Sequence, residues 1–436
     1  MARTLPFALA GAAGAATLTA ASAPSPLYPV YQRLWGFSAF TLTLVFAVYV
    51  FALLAALLTI GSISDHVGRR PVASAALVLL AVGMLLFATA DDVGGLMLAR
   101  VVQGLAVGAA ASTTTAMIVD SAPSSQLGSV VSSAVPTLGI GIGLVTAGAL
   151  VQFAPHPRQL VFWLFGGAYV VLAALVWLVP EHTRPRATAS GGLWRSLVPS
   201  LGLPPEARAV FLAQLPPMTA TWALSGLYLS LGSSVVVTVL GAQNHFVVGL
   251  ALGAFFVAGV LGTTTSASVA PRWRAWVGYA TLTAGVIVTV VATLGGGFAT
   301  YLVGSVVAGY GFGASFRSVV SELGEAAPAN RRGEVFATMY IVSYLAFSVP
   351  ALVAGLATEQ FGLKATIVVY GIAVVALVVT AMITEGTRRR PGDQLDSVGV
   401  LRPREPATQQ TPRHPGSIGP GVSWASGTSL GRDARS

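Results

Sequence analysis

The sequence predicts an all-α integral membrane protein with twelve transmembrane helices. Of its 436 residues 54% are hydrophobic and only 9% are charged, whereas about 25% of a soluble domain is charged. A helix needs about 20 apolar residues to cross a bilayer, and the chain contains twelve such runs. The predicted spans are 5–24, 39–60, 72–90, 95–118, 128–150, 160–180, 208–231, 246–268, 277–294, 298–319, 335–357 and 363–384.

A polar stretch divides these spans into two groups of six. Residues 181–207 are rich in Pro, Gly, Ser and Arg, which is typical of a linker. We therefore expect an N-terminal six-helix bundle at 1–180, a central linker at 181–207 and a C-terminal six-helix bundle at 208–384. Apolar residues become scarce after residue 384, so 385–436 is expected to be a disordered tail.

The basic residues indicate how the chain is oriented. The formal net charge is +9, and most of the Lys and Arg residues outside the tail fall in loops on one side of the twelve-span pattern. Such loops face the cytoplasm. The sequence therefore predicts a multi-pass protein of the cell membrane with both termini, the linker and the tail in the cytoplasm. Because this bias accounts for the basic excess, no nucleic-acid partner is expected.

The N-terminus allows two interpretations. Arg3, an apolar stretch and the letters AASA before Pro24 resemble a cleavable signal peptide. Its removal would leave eleven spans and destroy the correspondence between the two halves. That correspondence is visible in the sequence, since Gly309 and Gly313 lie 205 residues after Gly104 and Gly108. We therefore interpret the N-terminus as a retained first helix.

The segment from Pro24 to Phe37 follows the first span. Its prolines prevent a regular helix from running through all of it, and its Tyr and Trp rings suit the level of the lipid headgroups. We expect an external loop with an interfacial aromatic belt. In the alternative, Tyr28, Tyr31 and Gln32 form an outer gate over a central cavity.

The most charged turn of the first half, GSISDHVGRR, follows the second span. Asp65 is placed to accept hydrogen bonds from a helix N-terminus or from Arg69. Asp120, at the end of the fourth span, is expected to pair with Arg69 and Arg70. The alternative is a solvated turn that only sets the topology.

The order of Gly, three residues, Asp, two residues, Gly, Arg and Arg in this turn resembles the loop between helices 2 and 3 of the major facilitator superfamily. The resemblance implies two six-helix bundles that alternate in access. In such a protein this loop is a latch that holds the halves together on the cytoplasmic side. The residues assigned to the latch are Gly61, Asp65, Gly68, Arg69, Arg70 and Asp120.

Arg100, Gln103 and Gly104 resemble a second signature of this family, on helix 4. A charged residue at the centre of a span costs about 2.5–3.5 kcal/mol by insertion scales, so Arg100 is expected to face protein or a water-filled cavity. The alternative is that it snorkels to the nearby membrane surface. The three residues are predicted to serve the cavity or the coupling of transport.

The fifth span is rich in glycine, and Gly139, Gly143 and Gly148 are expected to allow close helix packing. The segment resembles the helix-5 signature of antiporters. However, Gly143 is followed by Leu144, where that signature has proline. Proton-driven export is therefore favoured less strongly than by a full match.

The chemistry that the sequence lacks excludes several classes of function. The chain has no cysteine, its single lysine, Lys364, lies in no phosphate-binding loop, and no protease or hydrolase motif is present. We therefore expect neither an enzyme nor a primary pump, with no metal and no cofactor other than a proton gradient. No carboxylate falls in the middle of a predicted span.

The motif pattern resembles that of drug and metabolite exporters of the superfamily. The first hypothesis is secondary export of a small hydrophobic or amphipathic compound by a monomer, with proton antiport. The alternatives are an uptake permease or facilitator of a metabolite and, in another class, a membrane scaffold or sensor. Besides Arg100 and Gln103, the side chains proposed to line a substrate cavity are Gln214, Trp222, Tyr228 and Tyr310.

Overall fold

The structure, a computed structural model, describes residues 4–60, 64–181, 201–328 and 330–388. Within these ranges the chain is helical and contains no strand. The twelve long helices are α1 (Thr4–Ser22), α2 (Ala39–Ile60), α3 (Arg69–Ala88), α4 (Val93–Ser121), α5 (Ser125–Phe153), α6 (Leu160–Leu175), α7 (Pro205–Ser230), α8 (His245–Thr265), α9 (Pro271–Val291), α10 (Gly297–Ala326), α11 (Arg332–Phe361) and α12 (Leu363–Arg388). We call α1–α6 the first half and α7–α12 the second half.

Ten stretches of the described helices are long and apolar enough to cross a membrane. There are eleven if the bent pair Pro205–Ser230 and Gly232–Val239, which meet at 59°, counts as one span. One of the ten, Arg272–Ala326, has 55 residues and includes both α9 and α10. The predicted all-α membrane fold is confirmed.

Helices α9 and α10 are two spans because the chain reverses between them. Gly295 has a φ of 156°, in the region that favours glycine. Gly278 near the start of α9 lies against Ser315 near the end of α10, whereas Gly285 lies against Ala308. The two helices are therefore antiparallel and closely packed.

The internal repeat extends to every helix of the two halves. A shift of 205 residues moves the range of α4 onto 298–326, within one residue of α10, and moves the range of α2 onto 244–265, within one residue of α8. Gly104 and Gly108 lie against the backbone of α2, and Gly309 and Gly313 lie against the backbone of α8. The paired glycines thus have the same packing role in both halves.

The halves meet along two helix pairs. Helix α2 of the first half packs against α11, and α5 packs against α8. Gly148 of α5 lies against Gly249 of α8, and Phe46 of α2 lies with its ring centroid 5.0 Å from that of Phe347 on α11. The boundaries predicted for the two bundles stay predictions, and residues 182–200 of the linker and 389–436 of the tail lie outside the described residues.

Two features differ from the sequence-based expectation. The segment after α1 was expected to be a loop, yet Tyr28–Trp35 is a helix preceded by a 3₁₀ turn at Ser25–Leu27. Pro29 lies in its first turn, where a missing N–H costs no hydrogen bond. Helix α10 continues to Ala326, beyond the predicted end at residue 319, because polar residues do not stop a helix that leaves the apolar layer.

The helix bundle has two ends, each named after a residue that lies there. The Arg69 end is the one at which α1, α3 and α5 begin. The Tyr28 end is the opposite one, and it carries the short helix Tyr28–Trp35.

Candidate functional site

Arg100 is completely buried in the first half, with 0% of its surface exposed. Its Nη1 donates to the carbonyl oxygen of Ala21 at 3.0 Å and to Oε1 of Gln103 at 2.6 Å, and its Nη2 donates to the hydroxyl of Tyr28. Its guanidinium lies 5.3 Å from the ring centroid of Tyr49, within cation–π range. The structure thus places Arg100 against protein groups, away from water.

Gln103 belongs to the same cluster. Its Nε2 donates to the carbonyl oxygen of Ala20 at 2.6 Å, so Arg100 and Gln103 together hold two consecutive carbonyls near the end of α1. Gly104 brings α2 close enough for Tyr49 to reach the guanidinium. These bonds anchor the end of α1 and the start of the short helix Tyr28–Trp35.

The repeat places Ser305 of α10 where the first half has Arg100. Ser305 Oγ lies 2.8 Å from the hydroxyl of Tyr228 on α7, and the Tyr228 ring stacks on Phe255 at 4.3 Å. In both halves, therefore, the residue at this position of the repeat, Arg100 or Ser305, contacts the hydroxyl of a tyrosine. Tyr28 lies just after the first helix of the first half, and Tyr228 lies on the first helix of the second half. Tyr228 is buried inside the second half and does not face the space between the halves.

Hydrogen bonds join the two halves at the Tyr28 end. Ser25 Oγ donates to the carbonyl oxygen of Leu229 at 2.9 Å, and Ser234 Oγ donates to Oε1 of Gln32 at 3.2 Å. The segment that follows α1 thus reaches across to the end of α7 and the residues after it. This geometry fits the alternative interpretation of the segment as an outer gate, here closed.

The backbone amide of Phe40 on α2 donates to Oε1 of Glu359 on α11 at 3.1 Å, and that of His245 on α8 donates to Oε1 of Gln152 on α5 at 2.8 Å. These bonds join the same two helix pairs that form the interface between the halves. They also lie at the Tyr28 end, which is therefore closed.

The predicted latch lies at the opposite end. Arg69 forms an ion pair with Asp120 and donates to the carbonyl oxygen of Ala116 at 3.1 Å, and Arg70 donates to the carbonyl oxygen of Val179. These contacts join α3 to α4 and to the residues after α6, all within the first half. Gly61 and the side chain of Asp65 lie outside the described part of the chain.

Glu181 also belongs to this cluster, although no sequence motif assigned it there. Its carboxylate accepts from the backbone amides of Arg69 at 3.3 Å and Arg70 at 3.1 Å, in the first turn of α3. Gly68, which precedes this turn with a φ of 106°, has no side chain to cap it. Glu181 therefore caps α3 from another segment, and no local sequence pattern reveals such a long-range cap.

Replacing Glu181 by alanine is expected to destabilise the first half by about 0.5–1 kcal/mol, since the helix loses a charged cap that is partly exposed to solvent. Glu181→Gln, which keeps one acceptor oxygen, is expected to lose less. The measurement is the apparent thermal midpoint in detergent. Asp91→Asn, an exposed acid at the other end of α3, is the control, and equal midpoints for the alanine and control variants would contradict the cap.

The helix-5 glycines have two different neighbours. Gly139 lies against Ala15 and Gly143 against Thr19, both on α1, whereas Gly148 lies against α8 of the other half. The hydroxyl of Thr19 also donates to the carbonyl oxygen of Gly139 at 3.0 Å. Their role in transport stays a prediction.

The other three residues predicted for a cavity are dispersed. Gln214 Nε2 donates to Oε2 of Glu322 at 2.7 Å near the Arg69 end, and the hydroxyl of Tyr310 accepts from Thr265 Oγ1 at 3.0 Å. Trp222 lies in an aromatic cluster between α7, α10 and α11. The structure therefore does not bring the four residues Gln214, Trp222, Tyr228 and Tyr310 to one site.

The cluster around Trp222 is the strongest candidate for a substrate-binding surface, and we call it the aromatic wall. The indole packs against Phe316, Tyr344 and Phe347 with ring centroids 5.1–5.6 Å apart. Its Nε1 is buried and has no hydrogen-bond partner among the residues that the structure describes. A buried indole N–H normally has an acceptor, so this donor is unsatisfied in the present conformation.

Helix α11 shows that the wall faces the space between the halves. Phe347 contacts Trp222 on α7 and also Phe46 on α2 of the first half. Tyr344 and Tyr340 continue the same helix face toward the Arg69 end, where Tyr340 is 38% exposed. The face of α11 that carries the wall thus becomes more exposed toward the Arg69 end, from Phe347 at 6% to Tyr340 at 38%.

A comparison with known protein families identifies the chain. The family model of the Major Facilitator Superfamily matches residues 10–349. The chain belongs to this superfamily. The family that the sequence motifs predicted, a superfamily of membrane transporters, is thereby confirmed.

Solved structures of superfamily members share the fold. A bacterial homologue of the human lysosomal transporter Spinster, in an inward-facing and unoccupied conformation, superposes with a TM-score of 0.71 at 13% identity. The match covers 88% of this chain and 97% of the homologue. The inward-facing and occupied form of the homologue gives a TM-score of 0.67.

Curated proteins match over shorter stretches. The quinolone resistance protein NorA of Staphylococcus aureus is 27% identical over 183 residues, which are 40% of this chain and 44% of NorA. Citrate exporter 1 of Aspergillus niger is 34% identical over 129 residues, which are 29% of this chain and 24% of the exporter. The chain thus spans less than half the length of the curated relatives it matches.

Proposed function

We propose that this transporter exports a small hydrophobic or amphipathic compound in exchange for protons. The observation that carries the proposal is the aromatic wall, an apolar surface of rings packed edge to face with one unpaired donor, Nε1 of Trp222. Such a surface suits a planar molecule that carries a hydrogen-bond acceptor, since pockets for small molecules combine apolar walls with few polar groups.

The burial of Arg100 argues for a neutral substrate over an organic acid. A bound carboxylate calls for an accessible cation, but the hydrogen bonds of the Arg100 guanidinium end on Ala21, Gln103 and Tyr28, and no part of its surface is exposed. The similarity to a quinolone resistance protein supports the same class of compound, and that to a citrate exporter supports outward transport.

The orientation follows from the distribution of charge. We infer that the Arg69 end faces the cytoplasm of the cell, with both termini on that side, because the arginines of the connecting segments gather there. In this orientation the aromatic wall takes up its substrate from the cytoplasm or the inner leaflet. We further propose that the transporter works as a monomer and without nucleic acid.

The Arg69 cluster fits the proposed latch in its open form. Among the described residues, Arg69 pairs with Asp120, and the carboxylate of Glu181 accepts from the backbone amide of Arg69. Both contacts lie within the first half. We propose that the cluster presents the start of α3 to the second half when the Arg69 end closes. A helix end held by Glu181 and Asp120 forms such a surface without rearrangement.

The test of the proposed function is a panel of neutral amphipathic compounds on cells with and without the protein. Intracellular accumulation is expected to fall when the native chain is present and to recover when the proton gradient is collapsed. A difference in accumulation that persists after the proton gradient is collapsed would show facilitated transport or another mechanism that is not driven by protons. If no compound of this or a metabolite panel moves in cells or in liposomes, the scaffold or sensor gains support.

Trp222→Ala is expected to lower export of the transported compound at least tenfold, since it removes both stacking area and the unpaired donor of the wall. Trp222→Phe keeps an aromatic ring but has no N–H, so its export rate is expected to lie between those of the native chain and Trp222→Ala. Trp163→Ala, at a 52% exposed position on α6, is the matched control. Equal export by the two alanine variants would refute the wall as the binding surface.

A further inference from the structure

A carboxylate lies between three helices at the Arg69 end of the second half. Glu322 on α10 accepts a hydrogen bond from Nε2 of Gln214 on α7 at 2.7 Å and one from Nη1 of Arg388 on α12 at 3.0 Å. Both bonds end on the same oxygen, Oε2. Gln214 is 1% exposed, and the side chain of Glu322 is 21% exposed, so water reaches Glu322 but does not surround it.

A second carboxylate shares the same guanidinium. Nη1 of Arg388 also lies 3.8 Å from Oε2 of Glu385, whose side chain is only 5% exposed. The two carboxylate oxygens therefore lie within 4 Å of one nitrogen atom. One cation thus serves two carboxylates, one on α10 and one on α12.

The amide of Gln214 fits both protonation states of Glu322. Its Nε2 donates to the carboxylate, while its Oε1 is buried and, in the described part of the chain, has no hydrogen-bond partner. A buried acceptor without a donor is unfavourable. When Glu322 carries a proton, half a turn of the amide lets the new O–H donate to Oε1. The amide thus makes one hydrogen bond to Glu322 in either state, through Nε2 to the charged form and through Oε1 to the protonated form.

Other charged groups surround this site on every helix packed against α10 except α8, which carries none at this end. Two other acids of the Arg69 end differ from Glu322. Asp120 pairs with Arg69, and Glu334 pairs with Arg331. Among the described residues, neither contacts an amide side chain that has an unpaired oxygen. The charged groups of the surrounding helices are Arg317 and Glu325 on α10, Arg272 and Arg274 on α9, Glu206 and Arg208 on α7, and Arg332 and Glu334 on α11.

We propose that Glu322 is the proton-binding group of this transporter, with Gln214 and Arg388 as its positioning residues. The proposal rests on the proton antiport proposed above. Binding of a proton replaces the bond from Gln214 Nε2 by one to its Oε1 and removes the ion pair with Arg388. The contact between α12 and α10 is thereby weakened.

Helix α7 connects this site to the aromatic wall. Gln214 and Trp222 lie about two turns apart on it, with Pro216 and Pro217 between them. Proline inside a helix leaves a backbone carbonyl without its partner and permits bending at that point. A change in the bond between Gln214 and Glu322 therefore reaches the helix that carries Trp222.

The test measures opening of the Arg69 end as a function of pH, with the proton as the only ligand. The chain has no cysteine, so Leu127→Cys on α5 and Gly333→Cys on α11, both at exposed positions, carry one spin-label pair across the space between the halves. Electron–electron distance distributions are recorded in lipid nanodiscs from about pH 5 to about pH 9, a range that spans the titration of partly buried carboxylates.

In the otherwise native chain the distance distribution is expected to change with pH. Glu322→Gln is expected to show the acidic distribution at every pH. Glu325→Gln, one turn on at an exposed position of the same helix, is expected to keep the native response. A native chain without a pH response, or an equal loss of response in both variants, would overturn the proposal.

Gln214→Leu serves as a second variant in case Glu322→Gln does not fold. It removes a donor to the carboxylate, so the midpoint of the response is expected to move by about one pH unit to higher pH. An unchanged midpoint in Gln214→Leu would count against the proposal.

Transport by the same variants in liposomes separates this proposal from the proposed function. With the compound that showed the largest effect in cells, Glu322→Gln is expected to lose uphill movement driven by a pH gradient and to keep exchange down the compound's own gradient. Uphill movement at the native rate would refute proton binding at Glu322. If the native chain moves no compound while the distance response is still lost in Glu322→Gln, the proposed function fails and the proton site stands.

Discussion

Replacing Arg100 by leucine is expected to open the Tyr28 end and to lower transport at least tenfold. The guanidinium holds the carbonyl of Ala21 at the end of α1 and the hydroxyl of Tyr28 at the start of the short helix. That short segment bonds to the second half through Ser25 and Gln32. Without Arg100, the closed end loses its anchor in the first half.

The size of the effect follows from the kind of bond lost. A hydrogen bond to a charged group is worth about 1.5–3 kcal/mol, and about 1.4 kcal/mol corresponds to a factor of ten in an equilibrium. The free energy of unfolding is expected to change less than the equilibrium between the closed and open forms of the Tyr28 end, because leucine also removes the cost of a buried charge. Arg100→Lys keeps the charge but cannot reach all three acceptors, so an intermediate effect is expected.

Labelling at the closed end measures the effect directly. Ser233 is 1% exposed there, and Ser233→Cys is the only thiol in the chain, so its reaction with a membrane-impermeant maleimide reports opening. The rate is expected to rise about tenfold or more in Arg100→Leu. Arg158→Leu, an exposed arginine at the same end, is expected to leave it unchanged. Native labelling rates in Arg100→Leu would disprove the anchoring role.

The second large effect is expected from a single methyl group on α10. In Gly309→Ala the new Cβ would lie 2.7 Å from the carbonyl carbon of Phe255 and 2.8 Å from its Cα, on the backbone of α8. Backbone atoms cannot rotate away as a side chain does, so the two helices must separate. Overpacking of this kind costs about 1–3 kcal/mol, and Gly309→Leu is expected to prevent assembly of the second half.

The same change at Gly167 on α6 is the matched control. A Cβ there meets no atom within 4 Å, and alanine stabilises an exposed helix interior by up to about 1 kcal/mol relative to glycine. The apparent thermal midpoint is therefore expected to fall in Gly309→Ala and to rise in Gly167→Ala. A Gly309→Ala variant as stable as Gly167→Ala would show that α8 and α10 are not in contact.

The glycines also show how far the sequence alone could lead. The spacing of Gly104, Gly108, Gly309 and Gly313 revealed the repeat, and the structure gives both pairs the same packing role. The helix-4 signature singled out Arg100 and Gln103, which do form one cluster. Their partners could not be predicted, because they depend on the rotation of α1 against α4.

The same limit applies to the residues that the sequence assigned to one cavity. Gln214 and Tyr228 lie on one helix, yet the rotation of α7 directs the first to Glu322 and the second to Ser305. Glu322 itself was placed outside a span, because the apolar run ends before the helix does. Hydropathy records where the bilayer ends, and helix length is decided by contacts beyond it.

The sequence by itself determined the membrane architecture of this protein. Long apolar runs, polar ends and a charged turn are local properties, and a helix in lipid must satisfy its backbone hydrogen bonds within itself. Only the tertiary structure decided which end is closed, that Glu181 caps α3, and that Arg100 and Glu322 each tie separate helices together. Those contacts join residues far apart in the chain, and the packing of whole helices brings them within hydrogen-bond distance.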